Sequence, residues 1–233
     1  MGEILTNEAV GEDRFTRSRI LFGEGFRALQ RTRVILFGVG GVGSFVLDCL
    51  YRSGIGEITI VDSDSFEVTN QNRQIGSECV GEPKVEVLAR KYPGVIAIKA
   101  RVNEEFLRTH DILSYDYIID AIDDIPAKVS IARIASQKPY GRYIVSTGSA
   151  KKLDPTRIEV ANVWKSYGDK FARKFRENLK KFTRTAKIKV VFSPEEPKCK
   201  ALGSFSAVTG SFGLVIASEV VRNILQGESY AHK

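Results

Sequence analysis

Cysteine is scarce in this 233-residue chain, and its three copies, Cys49, Cys79 and Cys199, stand far apart with no C-x-x-C pair. That spacing excludes a zinc ribbon and a disulfide framework and leaves reduced thiols as the default. Histidine is scarcer still. His110 falls in a loop and His232 in the terminal tail, so neither is placed as the acid–base partner of a hydride-transfer site. The opening stretch, "MGEILTNEAVGEDRF", has no basic region followed by an apolar core, and no apolar run approaches the ~20 residues that span a bilayer. A cytoplasmic protein with no membrane partner is expected. No internal repeat and no Pro/Gly/Ser linker break the chain, so residues 1–233 are expected to form one domain.

What is present begins with "RVILFGVGGVGSF", residues 33–45. An apolar run leads into Gly38-x-Gly40-Gly41-x-Gly43, and an apolar helical pattern follows. Glycine serves where backbone takes positive φ or approaches a ligand closely, and the following helix aims unpaired N–H groups at an anion. The loop therefore reads as a phosphate cradle, the alternative being a turn that serves packing alone. Strand-like runs at 34–37, 58–61, 95–100, 117–121 and 143–146 alternate with helical runs at 44–52, 83–91 and 127–137. Such alternation predicts an α/β, Rossmann-like fold with a mainly parallel twisted sheet. After Gly148 the pattern changes to two strand-like runs, "RIEVANVW" and "KIKVVFS", flanking a basic helix, then an apolar helix over 213–225. This predicts an antiparallel C-terminal extension of the same sheet. Residues 193–204, rich in Pro and charge, read as a mobile loop.

Ligands on such sheets bind beyond the carboxyl ends of the strands, where Asp62, Asp64, Asp120, Asp123 and Asp124 fall. Asp62 lies at the position expected to contact a ribose, and Asp64 is a second candidate or a turn cap. Beyond them Asn70, Arg73, Gln74 and Lys84 cluster in a loop and at a helix start. A guanidinium and an ammonium on one loop suit a triphosphate undergoing nucleotidyl transfer, because charge must be neutralised on the α-phosphate and the departing pyrophosphate. A redox dinucleotide needs no such cluster, so the sequence favours ATP over NAD.

The net charge of +7 is concentrated in residues 164–189, where ten Lys and Arg face only Asp169 and Glu177. That density implies an anionic partner, nucleic acid being the commonest, with a solvated helix face as the alternative. Phe171, Phe175, Leu179 and Phe182 recur at helical spacing and are expected to bury one side.

"GVGGVG", "VDSD", "NQNRQ", "GEPK" and "DAIDD", in this order, resemble the adenylating superfamily of ubiquitin-activating enzymes and their bacterial relatives in molybdopterin and thiamine synthesis. The resemblance covers 14–150, the expected ATP-binding part. It implies that the glycine loop and Asp62 hold the nucleotide, that Asn70, Arg73 and Lys84 contact phosphates, and that Asp123 binds Mg2+. Asp124 is the alternative metal ligand, though the motif register favours Asp123. "RFTRSRILFGEGFRALQ" resembles the family's opening segment, which implies that Arg17 reaches a partner subunit's ATP site; Arg19 is the neighbour it is most easily confused with.

"TGSAKKLDPTRIEV", "KFARKFRENLKKF" and "LGSFSAVTGSFGLVIASEVV" extend the resemblance to the tRNA threonylcarbamoyladenosine dehydratase subfamily. That subfamily adenylates the threonyl carboxylate of the modified nucleoside, and the acyl group cyclises onto its own carbamoyl nitrogen. The resemblance implies a homodimer, a tRNA and dimer part at 151–233, tRNA contacts from Arg173, Lys174, Lys180 and Lys181, and a monovalent cation, Na+ or K+, near the Ser/Gly-rich segment. It also brings in a cysteine desulfurase system as a partner. The 193–204 loop is shorter than the subfamily's pattern. An adenylyltransferase activating the C-terminal glycine of a ubiquitin-like sulfur carrier is the alternative activity. For a thioester route Cys199, between Lys198 and Lys200, is the candidate nucleophile.

Overall fold

The strand sequences RVILF, YIID and YIVS are apolar on both sides of the alternation, the pattern of strands covered by helices on both faces. The computed structural model describes residues 12–231; His232 lies outside the described residues. In chain order the elements are α1 (Thr16–Phe22), α2 (Phe26–Arg31), β1 (Arg33–Phe37), α3 (Gly43–Ser53), β2 (Glu57–Val61), α4 (Lys84–Lys91), β3 (Ile96–Ile98) and α5 (Glu104–Thr109). They continue with β4 (Tyr117–Asp120), α6 (Ile125–Ala135), β5 (Tyr143–Ser146), β6 (Glu159–Asn162), α7 (Lys170–Leu179), β7 (Lys189–Phe192) and α8 (Ser206–Ala231).

The seven strands form one sheet in the order β3-β2-β1-β4-β5-β7-β6, parallel except for β6 at the edge. The extension is thus antiparallel only in its last strand, since β7 runs parallel to β5. Strand order reverses between β1 and β4, the switch point where a doubly wound sheet opens a crevice. Side chains alternate across the sheet. Val34, Leu36, Ile58, Ile60, Ile119 and Ile144 pack under α2, α3, α4 and α8, while Ile35, Phe37, Val61, Ile118 and Val145 pack under α5, α6 and α7.

The basic helix α7 buries Ala172, Phe175 and Leu179 and turns Lys170, Arg173 and Lys174 outward, as its periodicity predicts, while Arg176 lies half-buried and donates to Ser166 Oγ. Phe182 departs from that expectation. It lies beyond the helix end, 54% exposed, with the Arg133 guanidinium 4.7 Å from its ring centroid.

Helix α8 begins seven residues earlier than its apolar run suggests, taking in most of the Ser/Gly-rich segment. Residues 206–227 make it the one helix among the described residues long and apolar enough to cross a membrane, but Val208, Phe212, Ile216, Ala217 and Val220 are buried in the core beside α3. The closeness of that crossing accounts for Gly213. A Cβ at Gly213 would stand 2.5 Å from the Val42 carbonyl oxygen and 2.8 Å from Phe45 Cβ.

The 193–204 segment is tied down. Lys151 N–H donates to Gly203 O at 2.9 Å and Lys198 N–H to Lys151 O at 2.8 Å, while the buried Glu195 carboxylate accepts from the N–H groups of Leu153 and Asp154.

Gly213→Ala should therefore lower stability by about 1–3 kcal/mol through overpacking, although alanine is the better helix former. Gly227→Ala on the same helix, where an added Cβ meets nothing within 4 Å, should be neutral or slightly stabilising. Urea unfolding of the two variants checks the contrast.

Candidate functional site

One row of residues crosses the sheet near the carboxyl ends of its strands: Ile98, Val61, Phe37, Asp120, Val145 and Val190. The polar residues singled out in the sequence begin immediately beyond it. Gly38 takes φ +82° and its N–H donates to Val61 O, which turns the chain out of β1. An added Cβ at Gly38 would press on the Ala121 backbone, and one at Gly43 would collide with the Gly38 carbonyl. Loop and helix start are thereby folded tightly on each other, with α3 rising from the loop.

Asp62 follows β2 and closes the loop from the side. Its carboxylate accepts from Val39 N–H and Asp64 N–H, both at 2.9 Å. Burial raises its carboxyl above the usual aspartate value, while those two N–H donors and the Lys84 ammonium pull it down. Asp64 resolves as a partner of Lys84, whose buried Nζ lies 3.1 Å from Asp64 Oδ2. Lys84 also donates its backbone N–H to Asp64 O, so the ammonium is fixed at the start of α4.

Residues 67–74 fold over the glycine loop. Asn70 Oδ1 accepts from Glu67 N–H in a capping box that holds this turn. The Arg73 side chain lies across Gly41, where an added Cβ would stand 3.2 Å from its Cγ and Cδ. Its Nη1 donates to Thr69 O and Asn72 Oδ1. Gln74 lies beside Gly40, with a buried Oε1 that has no hydrogen-bond partner among the described residues. Glycine loop, Asp62, Arg73, Gln74 and Lys84 therefore converge, as the motif order predicts. An unsatisfied buried amide oxygen beside a glycine cradle fits a site built for a polar ligand.

Asp123 is exposed on the loop after β4, and neither its carboxylate nor that of Asp124 makes a hydrogen bond or ion pair among the described residues. Both are free to ligate a cation. No cluster of three His, Cys, Asp or Glu exists among the described residues, so any metal here draws further ligands from elsewhere. Arg17 does not join this site within its own chain. It is exposed on α1, whose neighbour Phe15 packs at Gly54, the far end of α3 from the glycine loop. Arg19 is engaged by Asp13 at 2.6 Å. Arg173, Lys174, Lys180 and Lys181 are all exposed, the first two on α7 and the others just past its end.

The sequence reading missed a buried charge pair. Lys128 Nζ lies 2.6 Å from Asp120 Oδ1, both side chains wholly buried, and Tyr143 donates to Asp120 Oδ2 at 3.1 Å. Burial pushes the Lys128 ammonium below the ordinary lysine value, with Asp120 pushing it back up. The Tyr143 phenol, raised far above its usual value by burial and by Asp120, stays a donor. A signal existed: Ile125, Lys128, Ala132 and Ala135 share the inward face of α6, so the lysine stands in a core position.

The thiols form no centre. Burial raises the Cys49 thiol, Cys79 is half-buried, and Cys199 is exposed with Sγ 3.3 Å from Ala201 O, while its neighbour Lys198 faces Glu195 at 3.7 Å. His110 stacks on Phe106 before β4, at the opposite end of the sheet from the glycine loop.

Comparison with known proteins decides the family. The ThiF family model matches residues 14–233. The chain belongs to the ThiF family. Among ThiF-family relatives, the tRNA threonylcarbamoyladenosine dehydratase of Bacillus subtilis is 36% identical over 192 residues, 78% of this chain and 75% of the relative. The crystal structure of the Escherichia coli tRNA N6-threonylcarbamoyladenosine dehydratase in complex with ATP superposes with TM-score 0.86 at 31% identity, covering 93% of this chain and 96% of that one. A sulfur carrier protein adenylyltransferase of Thermus thermophilus is 35% identical over 141 residues, but these make up 54% of this chain and 51% of that protein.

Lys128→Met keeps the side chain's reach and removes its charge, leaving Asp120 as a buried carboxylate with Tyr143 as its one side-chain donor. The loss should be about 3–5 kcal/mol in equilibrium unfolding, and pairing it with Asp120→Asn should recover much of that. An unchanged denaturation midpoint in the single variant would mean that water reaches the pair.

Proposed function

We propose that the chain is an ATP-dependent tRNA threonylcarbamoyladenosine dehydratase, acting in the cytoplasm as a homodimer. The observation that carries this reading is extent: likeness to the dehydratases runs through the β6, α7, β7 and α8 region, whereas likeness to sulfur-carrier adenylyltransferases spans about half the chain. In the reaction a threonyl carboxylate oxygen attacks the α-phosphorus of ATP and pyrophosphate leaves. The carbamoyl nitrogen then attacks the acyl carbon, loses its proton, and AMP leaves, so that the nucleoside has lost one water overall.

The residues suit these steps. The glycine loop and the start of α3 direct N–H groups at phosphate, Asp62 accepts from the ribose, and Arg73 and Lys84 neutralise charge on the reacting phosphorus and the leaving pyrophosphate. Gln74 Oε1 and the free donors of Asn70 supply further polar contacts. Asp123, without a hydrogen bond or ion pair among the described residues, would hold Mg2+, which when bound offsets phosphate charge. Ring closure needs no enzyme thiol, because the nucleophile and the acyl carbon belong to one molecule and proximity supplies much of the rate. Arg173, Lys174, Lys180 and Lys181 would meet tRNA phosphates. A monovalent cation and a desulfurase partner rest on the resemblance alone.

Arg17 is read as completing a partner subunit's site. Ile20 and Leu21, both more than three-quarters exposed on α1, and an adjoining cleft lined by Leu21, Phe22, Val221 and Leu225 offer apolar surface for a second copy of the chain.

Purified protein given ATP, Mg2+ and tRNA carrying the linear nucleoside should yield the cyclic nucleoside by mass spectrometry of the digest, with one AMP formed per ring. ATP–pyrophosphate exchange stimulated by a diglycine-tailed protein and not by the modified tRNA would instead establish the sulfur-carrier activity. Arg17→Ala and Asp123→Ala should each be inactive alone. Mixed with subunit exchange, they should regain roughly a quarter of wild-type turnover, because half the dimers then carry one complete site of two. Absence of recovery despite verified exchange would place Arg17 outside the partner's site.

A further inference from the structure

At the amino ends of β5 and β7, opposite the glycine loop, lies an open cleft of about 510 Å³ lined by Ser136, Lys138, Tyr140, Thr183, Thr185 and Lys187. None of its lining residues is acidic. Lys187 has no ion pair or hydrogen bond among the described residues, and Lys138 spends one donor on Leu113 O at 2.7 Å. The hydroxyls of Ser136 and Thr185 are likewise uncommitted, while Thr183 Oγ1 accepts from the N–H groups of Thr185 and Ala186 and so shapes the wall.

The cleft is one end of a track. The N-cap of α7, Asp169, is bonded to Thr147 and Gly148 just past the carboxyl end of β5, on the nucleotide side of the sheet. The helix then descends ten residues, about 15 Å, and delivers the chain to 183–187 at the cleft. Eight cations lie from Lys170 to Lys187, and among the described residues Arg173 alone of these has a carboxylate within 4 Å, Glu177 at 3.7 Å. Tyr140 and Phe182, each about half exposed, stand at the lower end. Arg133 lies over one face of Phe182 and Lys189 over one face of Tyr140, so the rings add further cations to the uncompensated ammonium groups and hydroxyl donors in line, which is what a nucleic-acid backbone demands.

We propose that this cleft is a second RNA site, in which Lys138 and Lys187 hold backbone phosphates of the tRNA about one helix length from the reacting nucleotide. The proposal rests on the dehydratase reading for its choice of RNA. It adds that the substrate is gripped at both ends of the sheet.

The test compares wild type with Lys138→Gln/Lys187→Gln in binding unmodified tRNA from low to moderate salt. Affinity should fall about tenfold, and the slope of log K against log salt should shrink by about one to two, as two lost phosphate contacts require. ATP affinity should be unchanged, and Lys138→Arg/Lys187→Arg should restore most of the tRNA binding. Lys187→Gln alone, at an exposed position without partners, gives the same reading at smaller amplitude should the double variant fold poorly. Unaltered tRNA affinity and slope in a folded variant overturn the second site. Failure of the wild type to cyclise its nucleoside would instead overturn the dehydratase reading, while the binding comparison still reports on the cleft.

Discussion

A carboxylate at the carboxyl end of β4 and an ammonium from α6, neither with solvent contact, form a pair on which the geometry of the candidate site depends. Asp120 is the last residue of β4, Lys128 belongs to α6 and Tyr143 opens β5, so three elements meet at one carboxylate. Such a pair contributes little net stability relative to apolar side chains of the same size, since desolvation offsets most of the attraction. Its effect is on arrangement. Asp120 Oδ1 also accepts from Ile122 N–H, and Lys128 Nζ from its side donates to Asp120 O, so the loop bearing Asp123 and Asp124 leaves the sheet in one fixed direction. Apolar replacements would fill the space without specifying that exit.

Close approach of backbones is the second constraint, and it acts on the same crevice from the other face. The Gly38 turn leaves no room for a side chain at Gly43, and the α3 crossing leaves none at Gly213. Helix α3, whose start faces the crevice, is therefore pressed between its own loop and α8. Thr209 of α8 stands 3.4 Å from where a Cβ on Gly41 would lie, so α8 reaches the cradle itself. The Ser/Gly-rich stretch ahead of the apolar run is helix, and its small residues let two helices touch.

How much was legible follows from what each signal measures. Local patterns carried the glycine loop, the parallel order through β5, the turn outward at Asp62 and the buried face of α7, because these depend on neighbours in sequence. The parallel pairing of β7 with β5 was not legible, since two strands around a helix are compatible with either direction. The tying of 193–204 to 151–154 escaped for a similar reason: Glu195 reads as a loop carboxylate until two N–H groups from another segment reach it. Lys128 was visible as a lysine in a core register, but its partner lies eight residues away across a strand end. Arg17 carried its role at a partner's site by resemblance alone, and the fold places it on α1, away from its own chain's glycine loop.

The buried pair also bears on α7. The Lys128 ammonium lies 6.0 Å from the ring centroids of both Phe171 and Phe175, and Phe175 is among the residues by which α7 buries its inner face. The Asp169 N-cap adds a further tether, holding the top of the helix to Thr147 and Gly148 beyond β5. A cationic helix attached only by its apolar stripe would be free to slide along the sheet. One anchored at its N-cap and packed against a buried ammonium is placed by the same residue, Lys128, that pairs with Asp120. The proposed RNA contacts on the outer face of α7 are then held at a set distance from the crevice beyond β1, because the carboxylate that orders the loop also helps to place the helix.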